Sequence, residues 1–369
     1  MKRICIFGVV FCITSLTVFI SCNEDEQAAY SSEVEYYKYN QLTNIYDNEI
    51  APLNVSFVKE TETLEILVKA FKSDVTITNL NAVQEQWKAI QKVWKQLELY
   101  DLGEVANSFV AFEINRWPTD PERIEENIAS DEVLDAEFIA SIGSSSKGIS
   151  GLEYVLFGTD NNVDLESFTT MDNADRRLSY LVAMSENLVV KSNQLQGLWE
   201  NNKDVFVGGL ENGISGTQNQ VINAMVTLIE EIIISKLGIP LGDNNGGVIE
   251  PDRLEAYRSE TSKDIIQQHL IALKRAYEGD FTQSPFRVGF DDFLVLIGSE
   301  EFSISIHDQF VICQEKIDAI NGSLVSEIET NPAAVLDLKN AFRDLLVLIK
   351  VDMANILGST ITFNDNDGD

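Results

Sequence analysis

From Ser31 onward, apolar residues recur every three or four positions, and no stretch sustains the period-two alternation of a half-buried strand. Trp87, Ile90, Val93, Trp94 and Leu97 form one such stripe, and Leu64, Leu67, Val68 and Phe71 another. The pattern continues through Leu181, Met184, Leu188, Leu195 and Leu198, then through Val221, Met225, Leu228, Ile229 and Ile232. It returns at Leu254, Tyr257 and the run from Ile265 to Leu273, and again at Leu336, Phe342, Leu345, Leu346 and Ile349. A helix that is apolar along one stripe buries it against another such helix, so the pattern predicts an all-α protein built from helical bundles.

Turn-forming clusters divide the chain. Trp117-Pro118-Thr119-Asp120-Pro121 ends one helical region, the segment from Gly143 to Gly148 is a loop, and Gly208, Gly209, Gly213 and Gly216 separate two halves. The predicted plan is a signal segment over 1–21, an acidic tether over 22–30, an N-terminal helical bundle over 31–205 and a C-terminal helical bundle over 206–369. A faint repeat relates the halves: Gly148 to Gly158 and Gly289 to Gly298 both read as short apolar helices bracketed by glycines, and chance accounts for the likeness as well as duplication does. The loop from Gly238 to Gly247 carries Asp243, Asn244 and Asn245 without the ligand spacing of a calcium loop, so a plain turn is expected.

The chain carries 59 acidic against 27 basic residues, a net charge of −32. Such a charge repels phosphate backbones, which removes nucleic acid as a partner, and it suits cations or serves solubility alone. The two histidines, His269 and His307, leave no His-rich metal centre, and each is expected to be a surface or satisfied residue. There is no H-E-x-x-H and no visible serine or cysteine nucleophile with a base, so most hydrolase mechanisms lack their parts.

The first residues read as an address. Lys2 and Arg3 precede an apolar run from Ile4 to Ile20, followed by Ser21, Cys22 and the acidic run Glu24, Asp25, Glu26. That is the layout of a secretory signal, shorter than the roughly 18–20 apolar residues of a membrane span. Phe19-Ile20-Ser21-Cys22 resembles a bacterial lipobox, with phenylalanine where leucine is usual; Cys22 is then the lipid-attachment residue and the membrane a partner through an N-terminal anchor. The acidic run resembles the export signal of surface-exposed Bacteroidetes lipoproteins, so the expected location is the outer membrane, on either side. Cys5 and Cys12 leave with the signal, and the remaining Cys313 sits in an apolar run as a buried, inert thiol.

Ser150 and Glu153 stand at the spacing of a capping box, in which serine accepts from the N3 amide and the acid reaches back to the N-cap amide. A ligand-contacting role for Glu153 is the alternative. Arg116 beside Trp117 and Pro118 is expected at a helix end, as a cap, an ion pair or an anion contact. Trp87 and Trp94 are expected to anchor the core.

The segment Gly148-Ile149-Ser150-Gly151-Leu152-Glu153-Tyr154-Val155-Leu156-Phe157-Gly158 resembles the signature of the imelysin family, also called the insulin-cleaving membrane protease or iron-regulated protein A family. Its hallmark is G-x-H-x-x-E followed by an aromatic and aliphatic run ending in glycine. Trp87 matches a tryptophan of the family's early helix, and Arg116-Trp117-Pro118 resembles its Trp-Pro turn. The stretch from Arg176 to Leu181 leading to Trp199 resembles the helix after the motif, and the ending from Leu357 to Asp369 is similar to that of many Bacteroidetes members. The resemblance implies two helical bundles with a site at their interface.

Ser150 stands where the family has histidine. Histidine and glutamate three residues apart share a helix face and can hold a metal together, whereas serine is a poor zinc ligand and leaves Glu153 a weak metal site alone. Asp291 and Asp292 of the second-half counterpart add oxygen ligands only if the two short helices face each other. The candidate pocket residues are therefore Glu153, Arg116, Trp117, Asp291 and Asp292, and the cofactor stays open, with a divalent metal or iron as the candidates. Two functions follow. One is a non-catalytic envelope lipoprotein that binds a ligand beside iron-, haem- or metal-uptake partners; the other is an M75-type metallopeptidase whose metal site uses other ligands. The missing catalytic groups favour binding.

Overall fold

The computed structural model describes residues 24–158, 165–281 and 287–362, so the signal segment and Cys22 lie outside the described residues. Helix α1 (Glu24–Ile45) begins inside the segment read as a tether and passes through a π-helical turn, Tyr46–Ile50, into α2 (Ala51–Ser73). A short turn leads to α3 (Ile77–Leu97), started by Thr76, whose side chain accepts from the Asn79 amide. Four short helices follow, α4 (Gly103–Asn107), α5 (Val110–Ile114), α6 (Pro121–Ala129) and α7 (Ala136–Ser141), then the motif helix α8 (Gly148–Phe157) and the long α9 (Ala174–Gly208). The second half holds α10 (Thr217–Glu231), continued by a π-helical segment at Ile232–Gly238, and α11 (Ser262–Glu278), α12 (Phe290–Leu296), α13 (Glu300–Asp318), α14 (Leu324–Thr330) and α15 (Pro332–Val347). A third π-helical segment, Leu348–Met353, joins α15 to α16 (Ala354–Ile356), and no strand occurs among the described residues.

Spacing explains the packing of the first half. Buried Asn54, Phe57, Thr61, Leu64, Val68 and Phe71 of α2 alternate steps of three and four, as do Leu80, Val83, Trp87, Ile90, Trp94 and Leu97 of α3. Leu178, Leu181, Ser185, Leu188, Ser192, Leu195 and Trp199 repeat that pattern on α9. A 3.5-residue period keeps one seam turned to its neighbour along the whole helix, and α2 accordingly packs along both α3 and α9. Within the α2–α9 seam Thr61 Oγ1 and Ser192 Oγ lie 2.8 Å apart, each also within hydrogen-bond reach of a carbonyl of its own helix, Val58 at 2.8 Å and Val189 at 2.9 Å.

In the second half α13 pairs with α15, and α11 lies against α3, so one continuous apolar core spans both halves. Leu336, placed on the buried stripe by spacing, is exposed; the face of α15 that packs is Val335, Leu338, Phe342 and Leu345. Asp243 of the glycine-rich loop is held by Lys339 Nζ at 2.6 Å. Cys313 is buried, and burial pushes its thiol up to about 12, in line with an inert residue.

Helix α8 starts where the backbone of Gly148 turns left-handed, at φ +68°. A Cβ there would lie 2.2 Å from the Ile114 carbonyl oxygen, so only glycine lets α8 begin against the end of α5. Helix α8 packs on α3 and α9, whereas α12 packs on α13 and α11.

Candidate functional site: a cleft beside a buried charge network

Helix α3 carries Lys95, fully buried, and the residue one turn on is Glu98. The π-helical turn after α10 carries Lys236 into the interior, and the loop before α11 brings Glu255 to meet both lysines. That loop is strained: Ala256 and Glu260 both hold left-handed φ, at +58° and +57°. Lys95 Nζ lies 2.6 Å from Glu98 Oε1 and 2.6 Å from Glu255 Oε1, while Lys236 Nζ lies 2.6 Å from Glu255 Oε2. Trp94 Nε1 donates to Glu98 Oε1 at 2.7 Å, and His269 of α11 reaches Glu98 Oε2 at 2.8 Å. Burial opposes ionisation of both acids, but the lysines outweigh it: Glu98 is held well below the usual carboxylate range and Glu255 at about 2. Burial lowers His269 to about 4, so its contact with Glu98 is a neutral N–H donating to a carboxylate.

The motif helix meets this network through Asn115, the C-cap of α5. Ser150 Oγ donates to Asn115 Oδ1 at 2.7 Å, and Asn115 Nδ2 donates to Glu98 Oε1 at 3.3 Å and Glu255 Oε1 at 3.2 Å. The capping-box expectation is therefore corrected. Lys147 is the N-cap of α8 and makes no side-chain cap, which leaves Ser150 and Glu153 inside the helix with partners elsewhere. Glu153 Oε1 accepts from the amide and the Oγ of Ser259, both at 2.9 Å, and burial pushes this carboxyl up to about 7 against those hydrogen bonds. Arg258 stacks over the Tyr154 ring at 4.9 Å and donates to the Gly158 carbonyl at 2.8 Å. Glu153, Tyr154 and Gly158 thus all grip residues 258–259, and the motif latches the first half to the strained loop of the second.

Next to the network lies a cleft of about 760 Å³ between the halves. Trp94, Phe112 and Trp117 give it an aromatic wall, with the Arg116 guanidinium 5.1 Å from the Phe112 ring and Lys236 Nζ 5.9 Å from that of Trp117. Asn115, Glu98 and Glu255 form its inner side, so the charge network is the back of the cleft. Asp101 also lines it; burial, helped by nearby Glu98, pushes its carboxyl up to about 6. Among the described residues that line it there is no His, Met, Cys or Tyr.

The predicted candidates separate accordingly. Arg116 and Trp117 lie in the cleft, while Glu153 is buried behind it on Ser259. Asp291 and Asp292 sit elsewhere: Asp291 pairs with Arg287, and Asp292 Oδ2 accepts from the Gly289 amide at 3.4 Å, the back-reaching contact that had been expected of Glu153. The two short helices do not bring these acids to Glu153, because α8 lies on α3 and α9 whereas α12 lies on α13 and α11. His307 contacts Glu278 at 2.7 Å, away from the cleft. Sequence reading missed Lys95, Glu98, Asn115, Lys236 and Glu255. The available signal was charge in register with an apolar stripe, since Lys95 and Glu98 extend the face begun by Trp87 and Trp94.

A metal ion does not fit this donor set. Glu255 gives each oxygen to an ammonium, Glu98 gives one to Lys95 and Trp94 and the other to His269, and two lysines already neutralise the two carboxylates. Among the described residues no three His, Cys, Asp or Glu side chains converge to hold an ion.

An all-helical protein in two halves, with a glycine-anchored motif helix latched across their interface, is the class that fold and site define. The family model for Imelysin (Peptidase_M75) matches residues 53–349, and the chain belongs to that family. A crystal structure of an imelysin-like protein from Psychrobacter arcticum 273-4 superposes with a TM-score of 0.73 at 18% identity, covering 89% of this chain and 98% of that one. One of a protein from Parabacteroides distasonis ATCC 8503, assigned as an iron-regulated protein A precursor, gives 0.74 at 18% identity over 88% and 95%. At that identity the likeness is one of fold. No curated protein matches the chain.

Proposed function

We propose that this chain is a non-catalytic ligand-binding protein of the cell envelope, whose ligand enters the cleft between the halves as an organic molecule or as a metal complex bringing its own donor atoms. The observation that carries this is the pairing at the back of the cleft: Glu98, Glu255, Lys95 and Lys236 are spent on one another, leaving Trp117 and Arg116 to make contact. Aromatic faces and a guanidinium suit a planar or anionic organic group. A haem iron would find no axial protein ligand in the lining. The name of the Parabacteroides neighbour, iron-regulated protein A, supports an iron- or metal-uptake setting, and a preformed iron complex reconciles that setting with a cleft that lacks metal ligands. The metallopeptidase alternative rests on the family name, and its metal would need donors other than these.

Titration of the full chain with ferric citrate, haemin and free Zn²⁺ or Fe²⁺, followed by tryptophan fluorescence, tests this. Saturable quenching by a complex is expected, weakened about 10- to 100-fold by Arg116→Ala, the loss of one charged hydrogen-bonding group. Stoichiometric uptake of free Zn²⁺ or Fe²⁺ by dialysed wild-type protein with no chelating ligand present, read by elemental analysis, would overturn the proposal and revive the metallopeptidase. The envelope location rests on Cys22 as the lipid-attachment residue. Labelled palmitate is expected to enter the wild type and not Cys22→Ala; equal labelling would remove the anchor.

A further inference from the structure

The chain leaves α16 through Gly358, at φ +63°, with the Ser359 amide returning to the Ala354 carbonyl at 2.7 Å, a glycine-closed helix end. Residues 359–362 then leave helical structure and cross α10. Two asparagines one helical turn apart on α10 read its backbone. Asn219 pairs with both sides of Thr360, its Oδ1 accepting from the amide at 2.7 Å and its Nδ2 donating to the carbonyl at 3.1 Å. Asn223 Nδ2 donates to the same carbonyl at 2.9 Å, while its Oδ1 accepts from the Thr362 amide at 2.8 Å and the Thr362 hydroxyl at 3.0 Å. Between them the half-buried Ile361 side chain packs against the core, while Thr360 is exposed and Thr362 turns its hydroxyl to Asn223.

This is the chemistry of strand recognition transferred to a helix. A carboxamide carries the donor and acceptor of a peptide group, so it reads main chain without regard to sequence, and the alternate inward residue supplies the selectivity. With the segment in place Asn219 is buried, and both atoms of its carboxamide are taken by the Thr360 main chain. Asn219, Asn223 and Thr362 all line the cleft.

We propose that Asn219 and Asn223 form a strand-binding site at the cleft edge whose ligand is the chain's own C-terminal segment, held there as a strap that narrows access to the cleft. The second clause rests on the cleft being the ligand site; the first does not. Amide hydrogen exchange on the full chain tests the first. The Thr360 and Thr362 amides are expected to exchange on the order of 100-fold more slowly than an unprotected peptide. In Asn219→Ala/Asn223→Ala that protection is lost, with α9 and α11 amides unchanged. Ile361→Asp, which removes the inward anchor without touching α10, is expected to do the same. Unchanged protection at Thr360 and Thr362 in both variants would overturn the site. The dye 1-anilinonaphthalene-8-sulfonate then probes the strap. Releasing the segment by Ile361→Asp is expected to raise dye affinity several-fold, and Trp117→Ala in that background to reverse the gain. Release with no change in dye binding would overturn the strap while leaving the strand site standing. Failure of the metal-complex titration would leave both results intact.

Discussion

Glu255→Ala is expected to lower the unfolding free energy by about 3–5 kcal/mol, the loss found when one partner of a buried ion pair is removed. Lys95 and Lys236 are 1% and 5% exposed, and both rely on this carboxylate at 2.6 Å. Removing it strands two ammonium groups in the interface; Lys95 keeps Glu98, and Lys236 keeps only Glu231 at 3.7 Å. Equilibrium urea unfolding of the purified chain measures the effect. Glu255→Leu combined with Lys236→Leu should recover most of the loss, because it removes the charge left unpaired and keeps the Lys95–Glu98 contact. A cost below about 1 kcal/mol for Glu255→Ala, the range of exposed pairs, would show that water reaches the network and that the back of the cleft is not sealed. The same network predicts acid sensitivity. Glu98 and Glu255 are depressed in the folded state, so their contribution is present above the ordinary carboxylate value of 4.5 and is lost as pH falls toward about 2.

The helical architecture was legible because each apolar stripe needs a partner, and the seams of α2, α3 and α9 carry that need along their whole length. Arg116 and Trp117, named on the resemblance to the family's Trp-Pro turn, line the cleft. The charge network was not. Only Lys95 and Glu98 are near one another in sequence, with Glu255 160 residues from Lys95 and His269 171 from Glu98, and Lys236 enters the interior where the helix widens at Ile232–Gly238, which shifts side chains off the regular 3.6 period. Glu255 depends on a loop whose two left-handed residues are alanine and glutamate, types that give no warning of such a backbone. Ser150 and Glu153 misled for a related reason. Capping-box spacing depends on where the helix begins, and Gly148 starts α8 two residues before the predicted cap.

That displacement gives Glu153 its most measurable property. Held inside α8 and fully surrounded, its carboxyl is raised from 4.5 to about 7, first by burial and then by the nearby charge of Glu255, with the Ser259 hydrogen bonds pulling the other way. The folded chain therefore keeps a proton that the unfolded chain has already released. The stability this supplies is fully present below pH 4.5 and is lost as pH rises through about 7. Glu153→Gln keeps an oxygen for the Ser259 amide and hydroxyl but cannot ionise. Relative to the wild type, the variant is expected to gain about 2 to 3 kcal/mol between pH 5 and pH 8, as the wild type alone takes on the cost of a buried charge. Urea unfolding of both proteins at the two pH values, subtracted at each, isolates that change from every group they share. Parallel pH profiles would mean that Glu153 titrates in the folded chain as it does unfolded, with the Ser259 hydrogen bonds offsetting burial. A diverging profile would identify the motif acid as a protonated hydrogen-bonding group at pH values below about 7.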